Sequence, residues 1–194
     1  MENIGKSNIT AVILAGGQAR RMNGEDKGLI LYKGKPLISY VAKAIRANVD
    51  SIWVSANKNL DLYQEFGEVV TDNLADFQGP LAGISAALSC ISTQCLLVVP
   101  CDGPYLDKVL IKRLANEMER SDAKLCVASE HNHLHPTFSL INVSIKPVLD
   151  QYLASGKRRL GQFFRENQAV EVDFSDHEKM FVNFNSFKDL QESS

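Results

Sequence analysis

The sequence predicts an α/β protein, a three-layer sandwich built on a mainly parallel, Rossmann-like sheet. Two observations carry this prediction. Short apolar runs rich in β-branched residues alternate with amphipathic runs of helical period along the 194-residue chain, which is typical of strand–helix–strand units. Polar clusters follow three predicted strands, after Ala15, after Asp72 and at Asp102, and such sheets bind ligands at the carboxyl ends of their strands.

The first half of the chain begins with a strand that ends in glycines. Residues 9–15 form a short apolar run that stops at Gly16 and Gly17, which predicts a strand buried on both faces. Pro36 then opens a helical pattern. The further elements predicted here are strands at 51–57 and 68–72, a short helix at 59–66, a loop at 73–83, and a helix face marked by Leu81, Ile84, Leu88 and Ile91.

The second half begins with the clearest strand of the chain, residues 95–102, which ends in an aspartate. Asp107 is placed to cap the next helix, and the stretch HNHLH (131–135) indicates a solvated hairpin. The remaining elements predicted are strands at 124–129, 137–141, 169–174 and 181–185, a helix at 145–155 that ends at Gly156, and a last helix from Ser186.

Composition narrows the class of protein. With 45% hydrophobic and 23% charged residues, the chain has the composition of a globular protein, and we expect a single domain over residues 1–194. A formal net charge of -2 argues against bulk attraction to nucleic acid or to an acidic membrane. The four cysteines lack C-x-x-C spacing, so we expect free thiols and a cytoplasmic protein, with no nucleic-acid or membrane partner.

The loop after the first strand has the features of a phosphate site. Gly16 and Gly17 allow a tight turn with exposed backbone N–H groups, and Arg20, Arg21 and Lys27 follow within eleven positions. The loop is neither a Walker A motif nor a dinucleotide fingerprint. A simple turn with solvated charges is the alternative, but three cations beside a glycine nest favour a polyanion.

Two acids end predicted strands. Asp102 is followed by Gly103 and Pro104, and because Asp107 is the better helix cap, a carboxylate here suits Mg²⁺, which binds one or two carboxylates plus phosphate oxygens. Asp72 fits equally well as the first residue of an Asx turn. The residues alone therefore favour a metal site at Asp102 and leave Asp72 open.

The stretch LAGGQARRMNGEDKG (14–28) resembles the L-x-G-G-x-x-x-R-M-x-x-x-x-K signature of nucleotidyltransferases that act on NTPs. Further motifs are similar to those of the molybdenum cofactor guanylyltransferase family, so that the resemblance runs over nearly the whole chain. They are GKPL (34–37), DNLADFQGPLAG (72–83), PCDGPYL (100–106), HPTF (135–138) and DFSDHEKMFVNFNS (173–186).

The resemblance implies a nucleotidyltransferase sheet and transfer of GMP from GTP to the phosphate of molybdopterin, with Mg²⁺ on Asp102. It also implies that the N-terminal half mainly binds the nucleotide and the C-terminal half the acceptor. The implied catalytic residues are Arg21, Lys27 and Asp102. The implied nucleotide-binding residues are Leu14, Ala15, Gly16, Gly17, Lys27, Ser55, Asp72, Gly79, Pro80, Leu81 and Asp102.

The implied acceptor-binding residues are Lys157, Arg158, Arg159, Asn183 and Asn185. Taken alone, the basic cluster at 157–159 offsets a helix dipole. The two asparagines alternate with Phe184 on a predicted strand and so face one side, where an edge strand facing water is the alternative. Only the resemblance assigns both groups to the molybdopterin.

Other functions fit the glycine loop and Asp102 as well. A cytidylyltransferase or a sugar-phosphate nucleotidyltransferase would keep Lys27 and change the base and acceptor. A non-catalytic GTP-binding partner of molybdoenzymes would release no pyrophosphate. The resemblance favours the guanylyltransferase, and it also implies transient contacts with cofactor-supplying proteins and with molybdoenzymes.

Overall fold

The computed structural model describes residues 4–16, 26–72, 79–184 and 189. The strands are β1 (Ile9–Leu14), β2 (Leu31–Tyr32), β3 (Lys35–Pro36), β4 (Ser51–Ser55), β5 (Glu68–Val70), β6 (Cys95–Pro100), β7 (Leu125–Glu130), β8 (His133–Asn142) and β9 (Val170–Asp173). The α-helices are α1 (Leu37–Ile45), α2 (Leu60–Tyr63), α3 (Pro80–Cys90), α4 (Val109–Ser121), α5 (Lys146–Ala154) and α6 (Leu160–Glu166).

Seven of the strands form one sheet in the order β5-β4-β1-β6-β8-β7-β9. All neighbouring pairs are parallel except the two that involve β8, which runs antiparallel to β6 and β7. The strands β2 and β3 form a separate small ribbon. The predicted mainly parallel sheet is therefore confirmed, and β8 is its one reversed strand among the described residues.

The sheet register aligns the ends of four strands. Leu14 pairs with Ser55 on one side and with Pro100 on the other, and Ser55 pairs in turn with Val70. The chain therefore leaves β1, β4, β5 and β6 along a single edge. This edge explains why polar residues that are far apart in sequence meet in one place.

Apolar clusters cover both faces of the sheet, and they make the three-layer sandwich. Ile13 packs with the helices α1 and α4, whereas its neighbour Val12 packs with α3, α5 and α6. Because successive side chains of a strand point to opposite faces, a strand covered on both sides must be apolar at nearly every position. Burying each such side chain fully stabilises the fold by about 1.5–3 kcal/mol.

Residues 181–184 do not form the strand that the alternating pattern of 181–185 predicted, and Asn185 lies outside the described residues. Residues Glu178–Phe181 form a 3-10 turn and 182–184 have no regular structure. The Phe184 N–H donates to the carbonyl of Asp102 at 3.0 Å, and the Phe184 ring, fully buried, packs edge-on against Tyr32. The alternation of this segment thus reflects a chain that crosses the strand-end loops and buries one aromatic ring, not a sheet ladder.

Other boundaries also differ from the prediction. The helix α6 was not predicted, although Leu160, Phe163 and Phe164 are buried at helical spacing. Asp107 accepts a hydrogen bond from the Val109 N–H, the first amide of α4, at 2.8 Å, but Lys108 and not Asp107 occupies the N-cap position. Of the loop predicted at 73–83, residues 73–78 lie outside the described residues and residues 80–83 already belong to α3, because Pro80 opens that helix. The helix start predicted at Ser186 also lies outside the described residues.

All four cysteines are free, and three of them are buried, as expected from their spacing. In the ranges that the structure describes, no helix is long and apolar enough to cross a membrane.

Candidate active site

A cavity of about 310 Å³ lies at the edge where the strands β1 and β6 end. Its lining residues come from the loop after β1, from the turn at residues 26–29 (the lysine turn), from the start of α3, from the end of β6, from β8, and from residues 182–184 (the crossing segment). The lining residues are Leu14, Ala15, Gly16, Asp26, Lys27, Pro80, Pro100, Cys101, Asp102, Thr137 and Asn183. The structure therefore brings Lys27 and Asp102 together, 75 positions apart in sequence, beside the first glycine.

Lys27 and Asp102 form the central contact of this cavity. The Lys27 Nζ lies 3.5 Å from the Asp102 Oδ2, and the two side chains are 30% and 10% exposed. Burial raises the pKa of the Asp102 carboxyl, and the neighbouring Lys27 ammonium partly offsets that rise. Asp102 is thus a poorly solvated carboxylate that needs positive charge nearby to remain ionised.

The lysine turn is held by side chains that the sequence analysis did not identify. Lys27–Leu29 form a 3-10 turn, and the carboxylate of Asp26, just before it, accepts hydrogen bonds from the Tyr63 hydroxyl and from Asn59 Nδ2. A β-carbon at Gly28 would lie 2.7 Å from the Tyr63 hydroxyl oxygen. Glycine is therefore required at position 28 for the turn to pack on that ring.

Ser55 supports the cavity from below and does not line it. Its carbonyl accepts the Ala15 N–H at 2.9 Å, which fixes the chain as it leaves β1. Among the described residues, the atom nearest to a β-carbon on Gly16 would be the Ser55 carbonyl oxygen at 3.8 Å. The described part of the chain therefore leaves space for a ligand to approach the Gly16 backbone.

The other predicted nucleotide residues lie at the start of α3 or beside it. Gly79 has a φ of +76°, a left-handed value that favours glycine, and it is followed by Pro80 at the first helical position. The Leu81 side chain is buried in the apolar core. Only the backbone at Leu81 is therefore available to a ligand.

Asp72 lies at a second hollow, of about 520 Å³, between the helices α3 and α5. Its carboxylate accepts Asn57 Nδ2 at 3.0 Å, and its N–H donates to Asn57 Oδ1 at 3.3 Å. Arg158 lines the same hollow. Asp72 is thus separate from the residues that line the smaller cavity, and Asn57 is its principal described contact.

The three basic residues after α5 do not line the cavity with Asp102. Lys157 pairs with Glu166 at 2.9 and 3.0 Å. Arg158 donates from Nη1 to the Leu153 carbonyl at 2.6 Å, which also accepts the Gly156 N–H at 3.0 Å, and Arg159 is exposed. Of the predicted acceptor residues that the structure describes, only Asn183 lines the cavity that contains Asp102.

Gly17, Arg21 and Asn185 lie outside the described residues. The nucleotide-binding, catalytic and acceptor-binding roles that the resemblance implies for them remain predictions. Asp26, Cys101 and Thr137 also line the cavity; each lies within a motif that carries the resemblance, but the sequence analysis gave none of them a role.

The predicted hairpin at HNHLH is confirmed. His131 and Asn132 form its two-residue turn with positive φ values of 47° and 65°, the geometry that tight hairpins favour. His135 stacks on Phe181 with ring centroids 3.9 Å apart. Ligand atoms of Glu130, His131 and Glu178 come within 4.8 Å of one another. His131 and Glu178 are exposed and lie 3.6 Å apart, and Glu130 pairs with His135 at 3.1 Å.

The sheet and this cavity together define an NTP transferase, a protein that brings a nucleoside triphosphate to a second phosphate. Residues 11–172 match the MobA-like NTP transferase domain. The chain is 46% identical over 184 residues to a molybdenum cofactor guanylyltransferase of Histophilus somni, covering 94% of each chain. It is 40% identical over 186 residues to one of Haemophilus influenzae, covering 95% of this chain and 97% of that protein. The chain belongs to the molybdenum cofactor guanylyltransferase family.

Solved structures share the fold. Molybdopterin-guanine dinucleotide biosynthesis protein A from Archaeoglobus fulgidus superposes with a TM-score of 0.79 at 21% identity, covering 95% of this chain and 96% of that one. A 4-diphosphocytidyl-2C-methyl-D-erythritol synthase from Anaerococcus prevotii superposes with a TM-score of 0.74 at 13% identity, covering 97% and 95%. At these identities the likeness concerns the fold alone, and nucleotidyltransferases of different substrates share it.

Proposed function

We propose that this protein transfers GMP from GTP to the terminal phosphate of molybdopterin, which releases pyrophosphate and forms the guanine dinucleotide form of the cofactor. The observation that carries the proposal is the 3.5 Å contact between Lys27 Nζ and Asp102 Oδ2 in the cavity beside Gly16. The family to which the chain belongs supplies the identity of the two substrates.

We propose that the triphosphate binds beside Gly16 and Lys27. The described residues leave space over Gly16 for phosphates to approach the backbone, and we propose that Gly17 and Arg21 complete this phosphate site. The Lys27 ammonium would stabilise the charge that moves onto the departing pyrophosphate. The chain thus acts by holding and neutralising anions, the main task in phosphoryl transfer.

A divalent cation fits at Asp102. This carboxylate is buried, faces the cavity, and has its pKa raised by burial, so a second positive charge beside it would favour its ionised form. We propose that the ion is Mg²⁺ and that Asp102 holds it. We also propose that Asp72 lies near the nucleotide, on the side of the ribose or of the metal. When bound, Mg²⁺ neutralises phosphate charge as a Lewis acid.

The acceptor phosphate needs no protein base. A phosphate monoester has a second pKa of about 6, so it is mostly a dianion near pH 7 and already a nucleophile. The chain has to keep this dianion in line with the α-phosphorus. We propose that Asn183 and Asn185 donate hydrogen bonds to the acceptor, and that the basic turn Lys157, Arg158 and Arg159 attracts its charge.

The guanine would be read by backbone groups. Gly79 is the N-cap residue of α3 and Pro80 is its first residue, on the side of the cavity. The Leu81 side chain is buried in the apolar core. We propose that the backbone of these three residues meets the base edge, with Leu14, Ala15 and Ser55 forming the floor on the strand side. Backbone contacts would explain why the base preference leaves no mark on side-chain identity.

Pyrophosphate release with added molybdopterin and Mg²⁺ is the direct test. GTP should support turnover, and CTP and ATP should not. Turnover with CTP would instead favour a cytidylyltransferase, and GTP binding without pyrophosphate release would favour the non-catalytic alternative. In a melting experiment without acceptor, a nucleotide at a hundredfold its Kd should add about 2.7 kcal/mol to the free energy of unfolding.

The wider setting of the protein is part of the same proposal. We propose that residues 1–194 act as one nucleotidyltransferase domain in the cytoplasm, consistent with the four free thiols. Its product would pass to molybdoenzymes through transient contacts. Cofactor-supplying proteins would deliver the molybdopterin in the same way.

A further inference from the structure

Asp26 is gripped by two side chains from a distant part of the chain. The Tyr63 hydroxyl donates to its Oδ1, and Asn59 Nδ2 donates to its Oδ2 at 3.1 Å. Both donors belong to α2 and the residue before it, on the connection between β4 and β5. Because each carboxylate oxygen has its own donor, rotation of the Asp26 side chain is restrained.

Tyr63 is a rigid anchor for this grip. Its side chain is 0% exposed, and burial raises the pKa of its hydroxyl, so it is a donor at neutral pH. A buried hydroxyl requires a partner, and Asp26 supplies it. Asn59 holds a left-handed backbone with a φ of 52°, a conformation that is uncommon for residues other than glycine.

The hydrogen bonds to Asp26 lie next to the contact between Lys27 and Asp102. A β-carbon at Gly28 would lie 2.7 Å from the Tyr63 hydroxyl oxygen and 3.3 Å from the Cys101 β-carbon. The turn is therefore packed between the anchor Tyr63 and the residue that precedes Asp102. Any shift of Asp26 away from Tyr63 would move the Lys27 backbone along the cavity wall.

We propose that Asp26, held by Tyr63 and Asn59, is a positioning residue that places the Lys27 ammonium against Asp102 and the nucleotide phosphates. The inference rests on the proposed function, since that function supplies the phosphates. Lysine has a long and flexible stem, so fixing its backbone lowers the conformational entropy lost when the ligand binds. Asp26 itself, as an anion, would not touch the phosphates.

A double-mutant cycle between Tyr63→Phe and Lys27→Ala tests the proposal. Tyr63→Phe removes one hydroxyl and keeps the buried ring, and we expect the Kd for GTP with Mg²⁺ to rise about fivefold. In the Lys27→Ala background the same change should alter the Kd by less than about twofold, because coupled residues are not additive. An equal fold-change in both backgrounds would overturn the proposal.

The control and a second variant keep the cycle interpretable. Tyr40→Phe removes another tyrosine hydroxyl, one that donates to the Tyr32 carbonyl at 2.7 Å, and should leave the Kd unchanged. Asn59→Gly removes the second donor and retains a residue that tolerates a left-handed backbone. It should also weaken GTP binding in the native background only, and an additive effect would again contradict the proposal.

A readout without nucleotide separates this proposal from the proposed function. In the nucleotide-free protein, Asp102→Asn should shift the NMR signal of the Lys27 ε-carbon, because the two side chains are in contact. In the Tyr63→Phe background that shift should be largely lost. If the shift is equally large in both backgrounds, Asp26 does not position Lys27, whichever triphosphate the protein uses. Failure of GTP to bind, with this result intact, would count against the substrate alone.

Discussion

Gly83 in α3 lies directly against Ser55 in β4, so closely that a β-carbon at position 83 would stand 3.0 Å from the Ser55 β-carbon and still closer to its hydroxyl. The helix α3 therefore packs closely against the carboxyl end of β4. Gly83→Ala should destabilise the protein by about 1–2 kcal/mol, because the clash outweighs the helix propensity gained. Chemical denaturation would measure the change.

Gly161→Ala is the matched control for this prediction. Gly161 is also helical, but the nearest atom to an added β-carbon is the Pro136 Cγ at 3.6 Å, an ordinary contact. Its substitution should be neutral or stabilising by up to about 1 kcal/mol. Equal stability changes at the two sites would show that the helix is free to move away from Ser55.

Asp102→Asn should abolish turnover and still leave a folded protein with undiminished stability at pH 7. Loss of a group that holds a catalytic cation is expected to cost about a hundredfold or more in rate. Burial raises the pKa of Asp102 in the folded state, so between the unfolded value of 3.8 and the higher folded value the native protein binds more protons than the unfolded chain. Its stability falls as the pH rises through that window.

The asparagine variant lacks this pH-dependent loss. Its melting temperature should therefore equal or exceed that of the native protein at pH 7, and the difference should shrink as the pH falls below 3.8. Near-normal rates with Mg²⁺ would refute the metal assignment. A melting temperature well below native at pH 7 would instead mean that the Lys27 contact outweighs the cost of burying the charge.

Lys27→Ala should weaken GTP binding by about tenfold or more, equivalent to about 1.4 kcal/mol, with a smaller loss of folding stability. The reason is that Lys27 faces the cavity and is 30% exposed, so much of its attraction is available to a ligand. Lys35→Ala, which removes an exposed lysine outside the cavity, should leave binding unchanged. Equal losses of binding and of stability would argue against a direct phosphate contact.

Asp176→Asn should lower stability at neutral pH in a manner that disappears in acid. Arg113 donates to both carboxylate oxygens at 2.7 and 2.5 Å and lowers the pKa of Asp176 to about 2. A depressed pKa contributes stability above the unfolded value of 3.8, and this contribution is lost as the pH falls toward 2. Urea unfolding at several pH values measures it.

The exposed acid Asp50 provides the comparison for this pH series, and Asp50→Asn should change stability little at any pH. If Asp176→Asn behaves like Asp50→Asn, the bidentate pair contributes nothing measurable, as holds for many surface ion pairs.

Local patterns were sufficient to predict the sheet edge and most of its strands. The apolar runs that stop at Gly16 and at Asp102 identify buried strands, since their periodicity and their polar ends are contained in a few adjacent residues. The same reasoning located Lys27 near Asp102 through the rule that parallel strand ends share an edge, and the structure confirms that neighbourhood.

What the sequence could not predict depends on contacts between distant segments. The hydrogen bond from Tyr63 to Asp26 joins residues 37 positions apart; Asp26 lies in the stretch 14–28, but nothing local indicates that Tyr63 is its partner. The alternation at 181–185 indicated a strand because a buried Phe184 between polar neighbours has the same two-residue period as a ladder. Tertiary contacts also decide where the basic turn lies, since Lys157 pairs with Glu166 in α6, a helix that the sequence analysis missed.

Residues 182–184 cross over the Asp102 carbonyl, so the two sides of the cavity are formed by separate segments of the chain. In the proposed assignment, β1, the lysine turn and α3 form the nucleotide side of the cavity, and Asn183 lies on a segment whose described contacts include the Phe184 N–H bond to the Asp102 carbonyl and the buried Phe184 ring. Under that proposal, grafting this stretch from a relative is a means of redesigning the recognised acceptor while the residues proposed for the triphosphate are retained.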